Sequence, residues 1–525
     1  MLTKVTSILT LLVVLIGFCS GCTLLPWFEE TEFVLDSSAI IDDEGFPTLL
    51  VNFTVTGKIT LKLLGPNRNV VFSEEFYKGM YEKGIVLDEY QKTPTSGTYI
   101  LKALDEHDDK VFENELFFSN QNTSILDIDQ NWWVSDKATY CVGLTVTLRN
   151  SGGLPVYPWT ATVLIGTNEV SAKILPSVIL PDQTVTVFCI PSLEEVDDDS
   201  AKVEFSLFNS DEDLLATATR PLDFSSNVID LDYSWRYQGS YRSFVLPDID
   251  FLYDYYSSLN RLDTQDYAAY IFDSYDEFYL DFVAEQLLSL TDASDSVDII
   301  NFIASFVQSL EYALDDEDDQ TCEYPRYPVE MLTDKKGDCE DKAILTASLL
   351  NTLEYNVSLI RVPNHMAVGV HLEENISEYD YYVEEYYFLE TTRYQSPIGR
   401  VPDKYQGLTN ITAYPLTPRP ILLHNWKNAT RLSSSEGTDY VTLKIMLENI
   451  GGATAYQFEV TGGFFDTTAI VYNMEAITVP FLAAHEKKIV ELRLDVPQGF
   501  STTLQTQIYV DDELVEEKKS ATVFP

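Results

Sequence analysis

Basic residues are scarce in this sequence. Its 525 residues include 34 Lys and Arg against 83 Asp and Glu, which gives a formal net charge of −49. Nucleic-acid binding depends on clustered Lys and Arg that contact phosphates, so the composition excludes nucleic acid as a partner. An acidic surface of this kind is strongly hydrated and self-repelling, and by itself it identifies no partner.

The N-terminus carries an apolar run typical of an export signal. Residues 1–22 read MLTKVTSILTLLVVLIGFCSGC, in which one Lys precedes the run and small residues precede Cys22. The end of this segment resembles the lipobox of lipoproteins, which implies cleavage before Cys22 and attachment of lipid to that cysteine. The alternative is an uncleaved membrane helix that continues through Phe28.

Both arrangements predict that the bulk of the protein lies outside the cytoplasm, anchored to the cell membrane and facing outward. A single acyl chain gives only marginal binding to a bilayer. The segment has no polybasic patch to add to such an anchor, so we expect a diacylglycerol type of modification. The membrane, through this anchor, is therefore one expected partner.

Cysteine and histidine are also rare, with six and five copies. Outside the cytoplasm, disulfides can form and persist. Cys141 and Cys189 fall in one β-rich segment, and we expect these two to form a disulfide. Cys322 and Cys339 fall in a different segment and are expected to remain free thiols.

The length and the pattern of apolar residues predict a multidomain protein. Short alternating runs split by Gly, Pro and Asn predict β-sandwiches at residues 30–122 and 126–225, and a further one at 413–525. We expect these three all-β domains to be immunoglobulin-like. Apolar residues at helical spacing, such as Ile299, Ile303 and Phe306, predict an α+β domain at residues 230–412.

A repeat connects the second and last β-rich segments. LTVTLRNSGG, which ends at Gly153, matches VTLKIMLENIGG, which ends at Gly452, and an Asn-Trp pair precedes each copy. Two copies of one sandwich would produce this match. Two unrelated sandwiches that share hairpin chemistry remain the alternative.

The stretch KKGDCEDKAILTASLL predicts a helix that begins at Cys339. Asp338 fits the N-cap position, and Asp341 fits the position from which a side chain caps back. A helix N-terminus lowers the pKa of a cysteine, but the acidic neighbours oppose this effect, so a reactive Cys339 requires a histidine.

His365 is the best placed of the five histidines. RVPNHMAVGVHL predicts a turn at Pro363 and Asn364 followed by a strand, and EEYYFLETT predicts a second strand. If the two strands form a hairpin centred near residues 377 and 378, His365 lies opposite Glu390. A carboxylate at that distance orients an imidazole. His371 lies about 20 Å further along the strand and belongs to no common site.

These residues carry a family resemblance. The order of a Cys at a helix start, a His on one strand and a carboxylate after the next resembles the transglutaminase-like branch of the papain-like cysteine protease superfamily. YPRYPVEMLTDKKGDCEDKAILTASLL, NHMAVGV, YYFLETT and PIGRVP resemble archaeal transglutaminase-like proteins, of the surface-lipoprotein type, over about residues 230–405. The flanking sandwiches resemble adhesion-related domains of exported archaeal and bacterial proteins.

The resemblance implies a catalytic triad of Cys339, His365 and Glu390, in which Glu390 stands where Asp is more usual. It implies thiolate attack on an amide, an acyl-enzyme, and release to water or an amine. The expected substrate is a protein or peptide at the cell envelope. The backbone amide of Cys339 and the side chain of Gln308 are expected oxyanion donors.

The alternative is a non-catalytic binding or adhesion protein that retains the scaffold. No cofactor and no metal are expected, because the DDEDD run at residues 315–319 lacks the glycine and the alternating spacing of a calcium loop.

Overall fold

The computed structural model describes residues 31–135, 138–166, 168–196, 202–225, 228–315, 323–373, 375–376, 378–433 and 439–524. The predicted export signal at residues 1–22, with Cys22, lies outside the described residues, as does Cys322. Within these ranges no helix is both long and apolar enough to cross a bilayer.

The N-terminal unit consists of two antiparallel sheets. Its strands alternate buried and exposed side chains, as in β2, where Leu49, Val51 and Phe53 face the core. One sheet has the order β1-β2-β5 and the other β4-β3-β6-β7. The strands are β1 (Phe33–Asp43), β2 (Phe46–Val55), β3 (Ile59–Leu64), β4 (Val70–Phe76), β5 (Gly79–Val86), β6 (Gly97–Asp105) and β7 (Lys110–Phe118).

The second unit is one seven-stranded antiparallel sheet of order β14-β13-β10-β11-β12-β9-β8. Its first and last strands approach each other, because Gln130 Nε2 on β8 donates to Pro221 O on β14 at 2.8 Å. The strands are β8 (Thr123–Val134), β9 (Thr139–Asn150), β10 (Thr160–Ile165), β11 (Asn168–Ile174), β12 (Thr184–Pro191), β13 (Lys202–Phe208) and β14 (Leu214–Pro221).

The α+β region follows. It starts with a hairpin, β15 (Asp230–Tyr237) and β16 (Ser240–Pro247), and continues with the helices α1 (Asp250–Ser258), α2 (Ala269–Phe272), α3 (Glu277–Leu288) and α4 (Ser296–Ser309). Next come β17 (Glu311–Tyr312), α5 (Pro328–Asp334), β18 (Lys336–Gly337) and α6 (Cys339–Thr352). The region ends with β19 (Val357–Val362), β20 (His365–Val370), β21 (Tyr387–Leu389) and β22 (Thr412–Pro415), in a sheet of order β21-β20-β19-β22.

Helix α6 is the central helix of this region, as its apolar sequence predicts. Its residues from Glu340 to Leu350 are all buried. The helix packs against α3, α4, α5 and strand β20. A helix enclosed on every side has little freedom to shift, so its first residue, Cys339, has a fixed position.

The C-terminal unit repeats the strand order of the second unit. Its sheets have the orders β23-β24-β27 and β26-β25-β28-β29. Its strands are β23 (Leu422–Ser433), β24 (Asp439–Asn449), β25 (Ala455–Phe465), β26 (Val471–Leu482), β27 (Lys487–Asp495), β28 (Thr502–Val510) and β29 (Glu513–Phe524). All five of its ladders have counterparts in the second unit, which adds a short ladder between β11 and β12.

Asn150 and Asn449 occupy equivalent turns in the two units. Each side chain is fully buried, and each Oδ1 accepts from the glycine amide two residues later, at 2.9 Å for Gly152 and 3.1 Å for Gly451. Each Nδ2 donates to a carbonyl four residues ahead, on Leu154 at 2.7 Å and on Ala453 at 2.8 Å. The shared strand order and the shared turn are what a duplication requires.

The expected disulfide between Cys141 and Cys189 is corrected by the structure, where both are free, buried thiols. Cys189 on β12 pairs with Leu144 on β9. Cys141 lies three residues further along β9, on the order of 10 Å away, whereas bridged cysteines have Cα atoms within about 7 Å. Burial raises the pKa of Cys141 to about 12, so this thiol stays protonated.

The second unit packs directly on the α+β region. Phe188 of β12 stacks on Phe251 of α1 with ring centroids 5.2 Å apart. A side chain at Gly143 would meet the Phe251 ring at 2.5 Å, so this close approach requires glycine. Trp133 Nε1 donates to Asp230 Oδ1 at 2.8 Å across the same boundary. The apolar core of the α+β region therefore includes Trp133, Val142, Leu175 and Ile190 of the second unit, which also has a separate core of its own.

Candidate active site

Cys339 is the first residue of α6, and its neighbours form the cap that the sequence predicts. Asp338 is the N-cap residue, and its backbone N–H donates to Asp341 Oδ2 at 3.1 Å. Asp341 also accepts from Arg326, at 2.7 Å from the backbone N and at 2.6 Å from Nη1. Burial raises the pKa of Asp341 to about 6 even though Arg326 opposes the shift. This cap fixes the position of the Cys339 backbone.

His365 begins β20, directly after a tight hairpin turn. Val362 pairs with His365, so the turn consists of Pro363 and Asn364, as predicted. Asn364 has a φ of 57°, a left-handed conformation that Asn tolerates better than most residues. The turn therefore sets the direction in which the imidazole leaves the sheet.

Glu390 follows β21, and its carboxylate contacts the imidazole. Glu390 Oε2 lies 3.2 Å from His365 Nε2. Glu390 Oε1 accepts from Thr392, at 2.9 Å from the backbone N and at 2.6 Å from Oγ1. Burial alone would raise the pKa of Glu390, but the hydrogen bonds from His365 and Thr392 outweigh it and lower the pKa to about 2. Glu390 is therefore an ionised carboxylate held against the imidazole.

The register between β20 and β21 differs from the expected one by two residues. The ladder pairs Val368 with Leu389 and Val370 with Tyr387, so the centre of the loop lies one residue later than expected. A shift of two residues keeps side chains on the same face of a strand. The side chain of Glu390 therefore still reaches His365, although the two residues are not directly opposed.

Tyr405 contributes to the site and was missed by the sequence analysis. Its ring stacks on the His365 imidazole with centroids 4.8 Å apart and planes 4° apart. The contact covers one face of the imidazole and restricts its rotation. Tyr405 lies in a short 3₁₀ turn, Asp403–Tyr405, which begins directly after the PIGRVP motif. Only the presence of an aromatic residue near the end of the matching region could have suggested it.

Gln308 does not act as the expected oxyanion donor in this structure. Its Nε2 donates to Glu390 O at 2.7 Å and to Ser396 O at 2.9 Å, so both amide hydrogens are used. The side chain is buried, at 5% exposure, and points to the backbone beneath the site. Gln308 is therefore a positioning residue that holds the segment carrying Glu390.

The Cys339 thiol is partly buried among acidic groups. Sγ donates to Glu340 Oε2 at 3.1 Å, and no hydrogen bond joins Sγ to His365 among the described residues. Burial, and then the charges of Glu340 and Asp338, raise the pKa of Cys339 far above its usual value, whereas the N–H of Met366 lowers it. In this structure the Cys339 thiol therefore donates to Glu340, and these acidic neighbours favour its protonated form.

Asp338 and Glu340 are themselves perturbed. Burial and the neighbouring Glu340 carboxyl group raise the pKa of Asp338 to about 9. Burial also raises the pKa of Glu340. One proton shared between these two carboxyl groups reduces the repulsion between them.

One part of the chain matches a known protein family. Residues 279–398 match a family model described as a transglutaminase-like domain. These residues include Cys339, His365, Glu390 and Gln308. A comparison with curated proteins found no match.

Solved structures give only distant similarities. Red sea bream transglutaminase is 10% identical, with a TM-score of 0.17 over 70% of this chain and 78% of that chain. The exo-chitosanase CsxA of Amycolatopsis orientalis is 14% identical, with a TM-score of 0.16 over 35% of this chain, and the match spans 26% of the length of the chitosanase. TM-scores this low do not establish a shared fold. The family match is the finding that counts: this mostly β, multidomain chain contains a transglutaminase-like domain.

Proposed function

We propose that the chain is a thiol enzyme that hydrolyses or transfers peptide, isopeptide or glutamine side-chain acyl groups, with Cys339 as nucleophile. The observation that carries the proposal is the pair formed by His365 Nε2 and the ionised Glu390, 3.2 Å apart. The next residue after His365, Met366, donates its backbone N–H to the Cys339 sulfur at the start of α6. A carboxylate in that position fixes the imidazole and stabilises its protonated form. Family membership of residues 279–398 supports the same reading.

Glu390 contacts Nε2 of His365, so the other ring nitrogen, Nδ1, is the one available to the Cys339 thiol. In the proposed reaction, Sγ leaves Glu340 and gives its proton to Nδ1 as sulfur attacks the carbonyl carbon. The backbone N–H of Cys339, at the first turn of α6, stabilises the oxyanion. The imidazolium then protonates the leaving amine, which leaves a thioester at Cys339. Water or an amine attacks the thioester, and Nδ1 takes up the proton of that attacking group.

A substrate screen tests this proposal. The full chain is incubated with glutamine-containing peptides and isopeptides, with and without a primary amine, and ammonia and new amide bonds are measured. We expect turnover that is abolished in Cys339→Ala and retained in Cys141→Ser, since Cys141 is buried in the second unit. Turnover that persists in Cys339→Ala would overturn the assignment.

A non-catalytic binding protein is the second candidate, and one observation favours it. The Cys339 thiol donates to Glu340 Oε2 at 3.1 Å and not to His365, as a structural cysteine would. If the domain is an inert scaffold, a thiol reagent should modify Cys339 no faster in the wild type than in a His365→Ala variant. The enzyme proposal predicts a clear difference between the two.

We also propose an extracytoplasmic location with a lipid anchor at Cys22, as in surface lipoproteins of the archaeal type. The support is the sequence of residues 1–22 alone. Intact mass analysis of the purified protein tests it: loss of residues 1–21 with a lipid-sized increase at Cys22 is expected, and an unprocessed N-terminus would refute it. The three β-rich units are then immunoglobulin-like domains that hold the site at the envelope.

A further inference from the structure

Three consecutive side chains at the start of α6 converge on one point. Asp338, Cys339 and Glu340 each offer one potential metal-ligating atom, and these atoms all lie within 4.8 Å of one another. Two of them are Sγ and a carboxylate oxygen of Glu340, which is 3.1 Å from Sγ. The sequence does not predict this cluster, because adjacent residues on an ideal helix point in different directions.

Two oxygens in this cluster have no partner. Asp338 Oδ1 and Glu340 Oε1 are buried and make no hydrogen bond, and their side chains are only 7% and 3% exposed. A buried carboxylate oxygen that lacks a donor is costly. Among the described residues, no other side chain or backbone N–H donates to these two oxygens. Only an exchangeable proton shared by the two carboxyl groups can occupy the gap between them, and a cation can replace that proton.

The basic side chains of Arg326 and Lys342 have other partners. Arg326 forms ion pairs with Asp315, Asp341 and Asp334. Lys342 is buried, and its Nζ donates to Val307 O at 3.3 Å and Leu310 O at 2.6 Å. In the part of the chain that the structure describes, neither Asp338 nor Glu340 forms an ion pair with Lys, Arg or His. Among the described residues, no protein cation therefore balances the charge of these two carboxyl groups.

We propose that Asp338, Cys339 and Glu340 bind a thiophilic divalent cation such as Zn²⁺. Sulfur and carboxylate ligands together suit zinc, whereas calcium and magnesium prefer oxygen ligands alone. In tetrahedral zinc sites with Zn–S of about 2.3 Å and Zn–O of about 2.0 to 2.2 Å, ligand atoms lie about 3.5 Å apart. The 3.1 Å separation of Sγ and Oε2 is close to this distance. Three protein ligands leave a fourth position for water.

Binding replaces protons by the cation. The Cys339 thiol loses its proton to solvent, the proton shared by Asp338 and Glu340 is also released, and a metal–sulfur bond forms. The sulfur lone pair is then no longer available to attack a carbonyl, so the cation is a reversible inhibitor. This consequence rests on the proposed function, whereas the binding itself does not.

Cobalt provides a direct test, because Co²⁺ bound to a thiolate has a sulfur-to-metal charge-transfer absorption in the near ultraviolet. The full-length chain, stripped of metal with a chelator, is titrated with Co²⁺ and then with Zn²⁺. We expect a charge-transfer band that saturates at one Co²⁺ per chain and disappears as Zn²⁺ displaces it. The band should be lost in Cys339→Ser and retained in Cys141→Ser.

Carboxylate variants and thiol protection complete the test. Glu340→Gln should weaken Co²⁺ binding at least tenfold, and Glu323→Gln, an exposed acid near the site, should leave it unchanged. Zn²⁺ should slow alkylation of Cys339 by iodoacetamide at least tenfold, and chelation should restore it. If Glu340→Gln misfolds, protection in the unmodified protein still decides the question.

An unchanged band in Cys339→Ser, or equal alkylation rates with and without Zn²⁺, would overturn the proposal. Specific binding and protection in a protein that turns over no substrate would refute the proposed function and leave the metal site standing. Turnover that Zn²⁺ does not inhibit would overturn the proposed inhibition by metal and leave the proposed function standing.

Discussion

Glu340 determines the resting state of the candidate nucleophile. Its Oε2 accepts a hydrogen bond from the Cys339 thiol at 3.1 Å, and after burial its charge is the largest cause of the raised pKa of that thiol. Removing the charge should lower the pKa and increase the thiolate fraction, which gains tenfold for each unit that the pKa falls.

We therefore expect Glu340→Gln to accelerate alkylation of Cys339 at pH 7 by about threefold or more, with chelator present throughout. Labelling rates measured from pH 6 to pH 10 should show the apparent pKa shifted downward. Glu323→Gln, an exposed control, should match the wild type. An unchanged pH profile in Glu340→Gln would show that burial alone sets the thiol pKa.

The pair of Glu390 and His365 makes stability depend on pH. The pKa of Glu390 falls from 4.5 to about 2 on folding. Because the folded pKa is the lower one, the pair contributes stability above about pH 4.5 and loses it as the pH falls toward 2. The difference corresponds to on the order of 3 kcal/mol.

Glu390→Gln should therefore lower the free energy of unfolding by about that amount at pH 6, and the deficit should shrink between pH 4.5 and pH 2. Denaturant unfolding at a series of pH values checks this. A deficit that is constant with pH would indicate lost packing instead of a lost charge.

Single positions differed in how well the sequence predicted them. The helix start at Cys339, the turn before His365 and the contact between Glu390 and His365 were predicted because each follows a local signal, namely a helix cap, a turn and a strand end. Tyr405 was missed, since its contact with His365 depends on the path of the chain after β21. Gln308 was given the wrong role, because its partners, the carbonyls of Glu390 and Ser396, lie more than 80 residues away.

Helix α6 and the hairpin of β19 and β20 were predicted because their start signals are local. Asp338 precedes an apolar helix, and Pro363 and Asn364 separate two apolar strands. The register of β20 with β21 was wrong by two residues, since the intervening loop is long and its centre has no sequence signal. The disulfide failed for a similar reason: the register of β9 with β12 separates Cys141 from Cys189.

The cap of α6 should be a strong determinant of stability. Asp341 is 1% exposed, and it both caps the helix and pairs with Arg326 at 2.6 Å. Asp341→Ala should cost about 3 to 5 kcal/mol, because it leaves a guanidinium largely buried without this partner. Asp334, which is more exposed and 3.5 Å from Arg326, is the control, and Asp334→Ala should cost about 1 kcal/mol or less. Urea unfolding that gives equal losses would contradict this ranking.

In the whole chain, two units have the same strand order, and one of them packs directly on the α+β region. The second and C-terminal units share strand order and the buried asparagine turn, which the repeated motif predicted. Nothing in the sequence indicates that residues of the second unit join the core of the α+β region. Gly143, Phe188 and Phe251 are distant in sequence and meet only through the packing of β9, β12 and α1.

This boundary can be tested with a double-mutant cycle. A methyl group at Gly143 would lie 2.5 Å from the Phe251 ring, so Gly143→Ala should destabilise the protein by about 1 to 3 kcal/mol. Phe251→Leu should relieve this clash. The double variant should then be more stable than the two separate losses predict, by about 0.5 kcal/mol or more. Simple additivity would mean that the two units are not packed as described.

The central claim is that His365 activates Cys339, and site-resolved alkylation tests it most directly. Chelator-treated protein is labelled with iodoacetamide at pH 7, and mass spectrometry assigns the rate at each cysteine. The account predicts that Cys339 reacts faster than the buried Cys141 and Cys189, and that its rate falls at least tenfold in His365→Ala, a change of about 1.4 kcal/mol. Equal Cys339 rates in the wild type and in His365→Ala would contradict the account.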